Sequence, residues 1–311
     1  MVTPRLPALF AAVVLSTTLA HAQPPGPGRG FPAPCPWVSF YGSARQMGNL
    51  ARVAKTFRII NLDADPQAGN FNKAQIATLK ARGKNRVLSY LNVGACERYR
   101  DYYSKAPKGY LSCRDNRKAH KGIYRDYPDE MWMDPANPDY QRLLIDVVAP
   151  RLVAMGVDGF YLDNLEILEH GAANREAPCD TACRQGGLAF VAKLRRAFPK
   201  HLLVLQNATS DPIRQARLAD GTPFASLLDG VAREETYTPT KEPAVEADLL
   251  SWQGMKLTPG GRPFFIGTLD FVGDCRARRK ARAVAKIAKR KGFCPFVTDT
   301  SAGQKVICEF R

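Results

Sequence analysis

Short apolar, β-branched runs alternate with amphipathic stretches along most of this chain, the pattern of parallel strands joined by crossover helices. Eight runs read as strands: Trp37 to Tyr41, Phe57 to Leu62, Arg86 to Leu91, Asp158 to Leu162, Leu202 to Gln206, Leu228 to Arg233, Pro263 to Gly267 and Phe293 to Val297. Between them, apolar residues recur at helical spacing in Arg45 to Lys55, Asn72 to Arg82, Asp139 to Met155, Asp180 to Phe198, Pro212 to Ala219, Ala244 to Met255 and Arg276 to Lys291. The third of these has an acidic cap at Asp139, apolar residues on one face, and Gly156 just ahead of the strand at Asp158. A closed ring of eight such steps takes about 250 residues. No repeat of fixed period and no internal Pro/Gly/Ser-rich linker follows Pro36. The expected fold is therefore α/β, a single-domain (β/α)8 TIM-type barrel over residues 37–311.

In such a barrel the C-terminal strand ends form the active face. Polar residues collect there: Asp63 and Asp65 after the second strand, Asn92 and Glu97 after the third, Asp163 and Asn164 after the fourth, Asn207 after the fifth, Glu234 and Glu235 after the sixth, and Asp299 after the eighth. The densest cluster closes Val157-Asp-Gly-Phe-Tyr-Leu-Asp-Asn-Leu-Glu166. A helix N-cap would account for one of Asp163 and Asn164, but not for Asp163, Asn164 and Glu166 arriving together. Two carboxylates facing one cleft suit glycosidic cleavage, where one protonates the leaving oxygen while the other attacks or activates water. Asp163 and Glu234 are the expected catalytic pair. Alternation along a strand sends Glu235 elsewhere, although parity alone leaves Glu234 and Glu235 both open.

The first residues carry Arg5, the apolar run Leu9 to Leu15 and then Ala20-His-Ala22, which reads as a secretory signal over residues 1–22. A flexible Pro/Gly-rich mature N-terminus is expected over 23–36, in a secreted or periplasmic protein with no transmembrane segment. All eight cysteines follow that leader, and an even count in an exported chain points to disulfides. Sequence proximity and the meeting of barrel ends suggest Cys96 with Cys113, Cys179 with Cys183, Cys275 with Cys294, and Cys35 with Cys308. The spacings form no paired C-x-x-C units and histidine is scarce, so no metal is expected. No G-x-G-x-x-G follows the first strand, so no nucleotide cofactor is expected either. His120, His170 and His201 without a G-x-S-x-G argue against a Ser/His/Asp hydrolase.

The sequence runs Tyr90-Leu-Asn-Val-Gly-Ala-Cys-Glu-Arg-Tyr-Arg100, Trp132-Met-Asp134, Asp158-Gly-Phe-Tyr-Leu-Asp-Asn164, Gln206-Asn207 and Asp229-Gly-Val-Ala-Arg-Glu234 in that order. In these motifs the chain resembles glycoside hydrolase family 114, endo-α-1,4-polygalactosaminidases and their relatives on a (β/α)8 barrel. The resemblance implies an endo-acting enzyme on an amino-sugar-containing polysaccharide, and it places the family's carboxylates on Asp163 and Glu234. It places substrate contacts on Tyr90, Glu97 and Arg100 and the strand-five amide on Asn207. Asp63, Asn92, Asn164 and Tyr237 complete the expected substrate-binding set. The chain departs from the family at Tyr161-Leu-Asp-Asn-Leu-Glu166, where Asp-x-Asp-Asn-x-Asp is common, and at Gln206, where Lys is frequent.

Aromatic residues crowd the segment from Cys96 to Asn137, and Trp132 with one or two of its tyrosines is expected to stack on sugar rings. A net charge of +16 argues for a neutral, N-acetylated or acidic glycan over a polymer of free galactosamine. Much of that charge lies in the helix 276–291, a candidate contact with an anionic polymer or cell surface; no nucleic acid is expected. The alternative reading is a non-catalytic extracellular glycan-binding protein on the same barrel.

Overall fold

The computed structural model describes residues 30–255, 264–300 and 303–308. The expected signal, the Pro/Gly-rich stretch up to residue 29 and Pro263 lie outside them. Eight strands pair in parallel and in sequence order: β1 (Trp37–Phe40), β2 (Ile59–Leu62), β3 (Arg86–Asn92), β4 (Gly159–Asp163), β5 (Leu202–Gln206), β6 (Gly230–Glu234), β7 (Phe265–Phe271) and β8 (Cys294–Thr298). Helices cross between them, so both faces of each strand are covered and the strands read as continuous apolar runs. At the seam between β1 and β8 the Trp37 indole donates to the Cys294 carbonyl at 2.6 Å, and a Cys35–Cys294 disulfide spans the same gap. The sheet is a nearly closed (β/α)8 barrel.

Several elements differ from the pattern-based expectation. The first helical stretch is two helices, Ala44–Met47 and Leu50–Thr56, because Gly48 takes φ +81° and Asn49 caps a new start. The stretch after Asp139 is capped by Asn137, whose Oδ1 accepts from the Asp139 and Tyr140 N–H groups. It then widens into π-type turns over Leu143–Val148, since Pro150 has no N–H to offer the turn before it. Residues 30–36 are anchored: Phe31 is buried against Phe265 at the strand N-terminal ends, 5.0 Å between ring centroids, and Arg86 Nε donates to the Gly30 carbonyl.

Cys96–Cys113 and Cys179–Cys183 form as expected. The other two pairs are Cys35–Cys294 and Cys275–Cys308, in place of Cys275–Cys294 and Cys35–Cys308. The reason is topological. Cys35 and Cys294 stand at strand entrances on one end of the barrel, whereas Cys275 follows β7 and Cys308 follows β8 on the opposite end. No helix among the described residues is long and apolar enough to cross a membrane.

The largest excursion leaves β3 and returns before β4. It holds an antiparallel sheet of Ala95–Glu97, Glu130–Met133 and His120–Ile123, with Glu130–Met133 in the centre. Gly94 starts it, and a Cβ there would run into the Asn164 backbone carbonyl. This excursion therefore packs directly on the end of β4.

Candidate active site

Asp163 and Glu234 are the last residues of β4 and β6, and both line one cavity of 740 Å³ at the strand C-terminal ends. The residue after each turns sharply: Asn164 has φ +61° and Glu235 φ +53°. Asn adopts that left-handed geometry at little cost, while Glu pays a strain of the kind concentrated at functional sites. The turn at Glu235 leaves Glu234 in the cleft and Glu235 outside its wall.

Glu234 is held by amides. Asn207 Nδ2 donates to its Oε2 at 2.9 Å, Gln304 Nε2 donates to its Oε1 at 2.7 Å, and the Glu234 N–H donates back to Asn207 Oδ1 at 3.1 Å. Burial raises its pKa, while hydrogen bonds from Asn207 and Gln206 oppose the rise. Burial, reinforced by the Glu234 charge, pushes the Asp163 carboxyl up to about 7 despite hydrogen bonds from the Asn164 N–H and the Tyr90 side chain. Both shifts are upward, so the two carboxyls hold their protons to higher pH than free carboxyls do.

A third carboxylate was not in the expected set. Glu130 reaches the cleft from the excursion sheet, and its Oε2 accepts from both Asn92 Nδ2 and Asn164 Nδ2 at 3.0 Å. Burial and then the charges of Glu97 and Asp163 push it up to about 8. Glu130 carries no signal in the sequence, because it lies on an excursion strand with no apolar run of strand length bounded by turn residues to mark it. Glu166 also lines the cavity, with Oε2 buried and without a hydrogen-bond partner among the described residues. Burial raises its pKa strongly, and the Asp163 charge adds to the rise.

The remaining expected residues divide into wall and support. Asp63, Tyr90, Arg100, Asn164 and Asn207 are on the wall. Arg100 is fixed by Asp63 at 3.0 Å and Glu97 at 3.5 Å. Glu97 is fully buried behind it, so its partner is Arg100 and not the cleft. Asn92 lies behind Glu130, its Oδ1 accepting from the Ala95 N–H at 2.8 Å. Trp132 is 2% exposed and its Nε1 donates to Glu176 at 3.0 Å. Tyr124 covers it, stacked at 4.2 Å, and is the ring that meets the cleft. Tyr237 is buried away from the wall, with its N–H donating to Asp270 at 2.6 Å. Tyr99, 62% exposed, and Tyr127 join Tyr124 as the aromatic wall. Gln304 carried no sequence signal, because a single amide in a short tail has no period or motif.

The cleft is rich in acids although the molecule as a whole is basic. Asp63, Asp126, Asp129, Glu130, Asp163, Glu166 and Glu234 line it, against Arg100 and Lys305. Screening confines exposed charges to about 8 Å at physiological salt, so nearby acids set the field felt by a bound group. The net charge of the whole molecule therefore does not report the field inside the cleft.

A (β/α)8 barrel with carboxylates converging at its C-terminal face is the architecture of a glycoside hydrolase. Residues 37–234 match glycoside-hydrolase family GH114, and the chain belongs to that family. An uncharacterised protein of Deinococcus radiodurans is 26% identical over 249 residues, covering 74% of this chain and 70% of its own. The fold is similar to the glycoside hydrolase domain of PelA from Pseudomonas aeruginosa, with a TM-score of 0.63, 20% identity, and 88% of this chain and 96% of that one covered. It is also similar to Aspergillus fumigatus Ega3, solved in complex with galactosamine, with a TM-score of 0.60, 16% identity, and coverage of 91% and 97%. At these identities the likeness is one of fold.

Proposed function

We propose that this protein is an exported, endo-acting glycoside hydrolase that cleaves a polysaccharide bearing free amino groups, with Asp163 and Glu234 as the working carboxyl pair. The observation that carries the reading is the acidic cleft in a chain of net charge +16. An ammonium bound among these acids would favour their ionised forms and pair with them, while Tyr99, Tyr124 and Tyr127 offer faces to sugar rings. That Ega3 was solved with galactosamine supports the same class of sugar. Four disulfides support an oxidising compartment. The helix Arg278–Arg290, which turns Arg279, Arg282, Lys286 and Arg290 outward, would hold the enzyme on an anionic surface while the cleft works on a cationic chain.

The test is incubation with a polymer of α-1,4-linked galactosamine and its N-acetylated form, followed by a reducing-end assay. New ends appear with the free-amine polymer, and Asp163→Asn or Glu234→Gln lowers the rate by roughly 10³, the loss expected when an acid, base or nucleophile is removed. Binding without new ends would instead identify a glycan-binding protein. Full activity in both variants would remove the pair from the chemistry.

A further inference from the structure

Beyond β8 the chain returns across the barrel mouth, and Gly303, Gln304 and Lys305 stand in the cleft wall. This strap, residues 303–308, contains no helix or strand. The Tyr41 N–H donates to the Gln304 carbonyl at 3.0 Å, Thr298 Oγ1 donates to the Val306 carbonyl at 2.7 Å, and Cys308 is bonded to Cys275. Gln304 is 1% exposed with φ +46°, so its backbone is held in a costly left-handed turn that directs its side chain inward. Its Nε2 then meets Glu234 Oε1.

We propose that Gln304 is a positioning residue for Glu234, and that the Cys275–Cys308 disulfide keeps it in place. The inference rests on the reading of Glu234 as one of the working pair. The terminal torsion of a glutamate is broad and roughly two-fold, so a carboxylate held at one oxygen can still rotate. Asn207 holds Oε2 and Gln304 holds Oε1, so Gln304 fixes the plane of a carboxylate that Asn207 and Gln206 already anchor. Asn207 lies within the family match of residues 37–234, whereas Gln304 lies outside it. A strap without a backbone ladder of its own opens easily, and the bond to Cys275 limits how far it can move. Oxidation would then complete the site as well as stabilise the fold.

The experiment follows the Glu234 carboxyl by 13C NMR in an Asp163→Asn background, where one member of the pair titrates. Gln304→Met keeps the side-chain length and loses the donor, and Gln304→Asn is too short to reach. Both raise the Glu234 titration midpoint by about one pH unit, because a donor to a charged acceptor favours the ionised form by at least that much. Cys275→Ser/Cys308→Ser gives a shift of the same sign. An unchanged midpoint in both Gln304 variants overturns the positioning role, and an unchanged midpoint in the cysteine variant overturns the role of the disulfide. Because the readout needs no turnover, a wild type that cleaves no polymer would sink the hydrolase reading independently of this result.

Discussion

Asp163 holds its proton more tightly in the folded chain, where its pKa is about 7, than in an unfolded one, where aspartate titrates near ~3.9. Between those values the folded state binds more protons, so this residue's contribution to stability is fully present below about pH 4 and is lost as pH rises through about 7. Asp163→Asn cannot titrate. Its Tm should therefore gain on the wild-type Tm as pH rises from 4 to 8, and thermal scans across that range that run parallel would assign the titration to another group. The same site shows why some residues were legible in sequence and others were not. Asp163 and Glu234 end barrel strands and Asn207 directly follows one, where polar residues interrupt apolar runs. Glu97, Asn92 and Trp132 belong to the right neighbourhood but support Arg100, Glu130 and Tyr124, because pattern locates a residue on an element without saying what stands in front of it.

The excursion between β3 and β4 brings Glu130 and Tyr124 to the cleft, and its first turn is fastened by Cys96–Cys113 across a sequence separation of 17. Closing a loop of that size is worth about 3 kcal/mol on the chain-entropy account. Cys96→Ala/Cys113→Ala should lose that much in denaturant unfolding and should also lower activity, since the sheet carrying Glu130 is left less constrained. A variant with full activity would separate the excursion from the site. The eight barrel strands were readable because each is a short apolar run bounded by turn residues. The three excursion strands were not, because each is only three or four residues long without an apolar run of strand length bounded by turn residues, and their arrangement depends on the disulfide and on packing against Asn164. The widened helix after Arg142 follows from one proline, which the apolar period around it does not reveal as a change of helix type.

Across the whole molecule, charge is divided between an acidic mouth and a basic outer helix, and composition could report only their sum. Val284, Ala281 and Ala288 bury one side of the helix Arg278–Arg290, and no ion pair joins its outward Arg279, Arg282, Lys286 and Arg290 to an acid among the described residues. Glu at those four positions should abolish retention on a sulfated-polysaccharide resin at low salt and leave polymer cleavage intact. Retention that survives those changes, or that ignores salt, would remove its electrostatic basis. The seam disulfide has a consequence of another kind. Cys35 and Cys294 enclose nearly the whole barrel, at a separation of 259, so a protease that nicks any one surface loop between them opens that covalent loop but leaves its two fragments joined through the disulfide. A barrel built this way can be cut once by its surroundings and still not come apart.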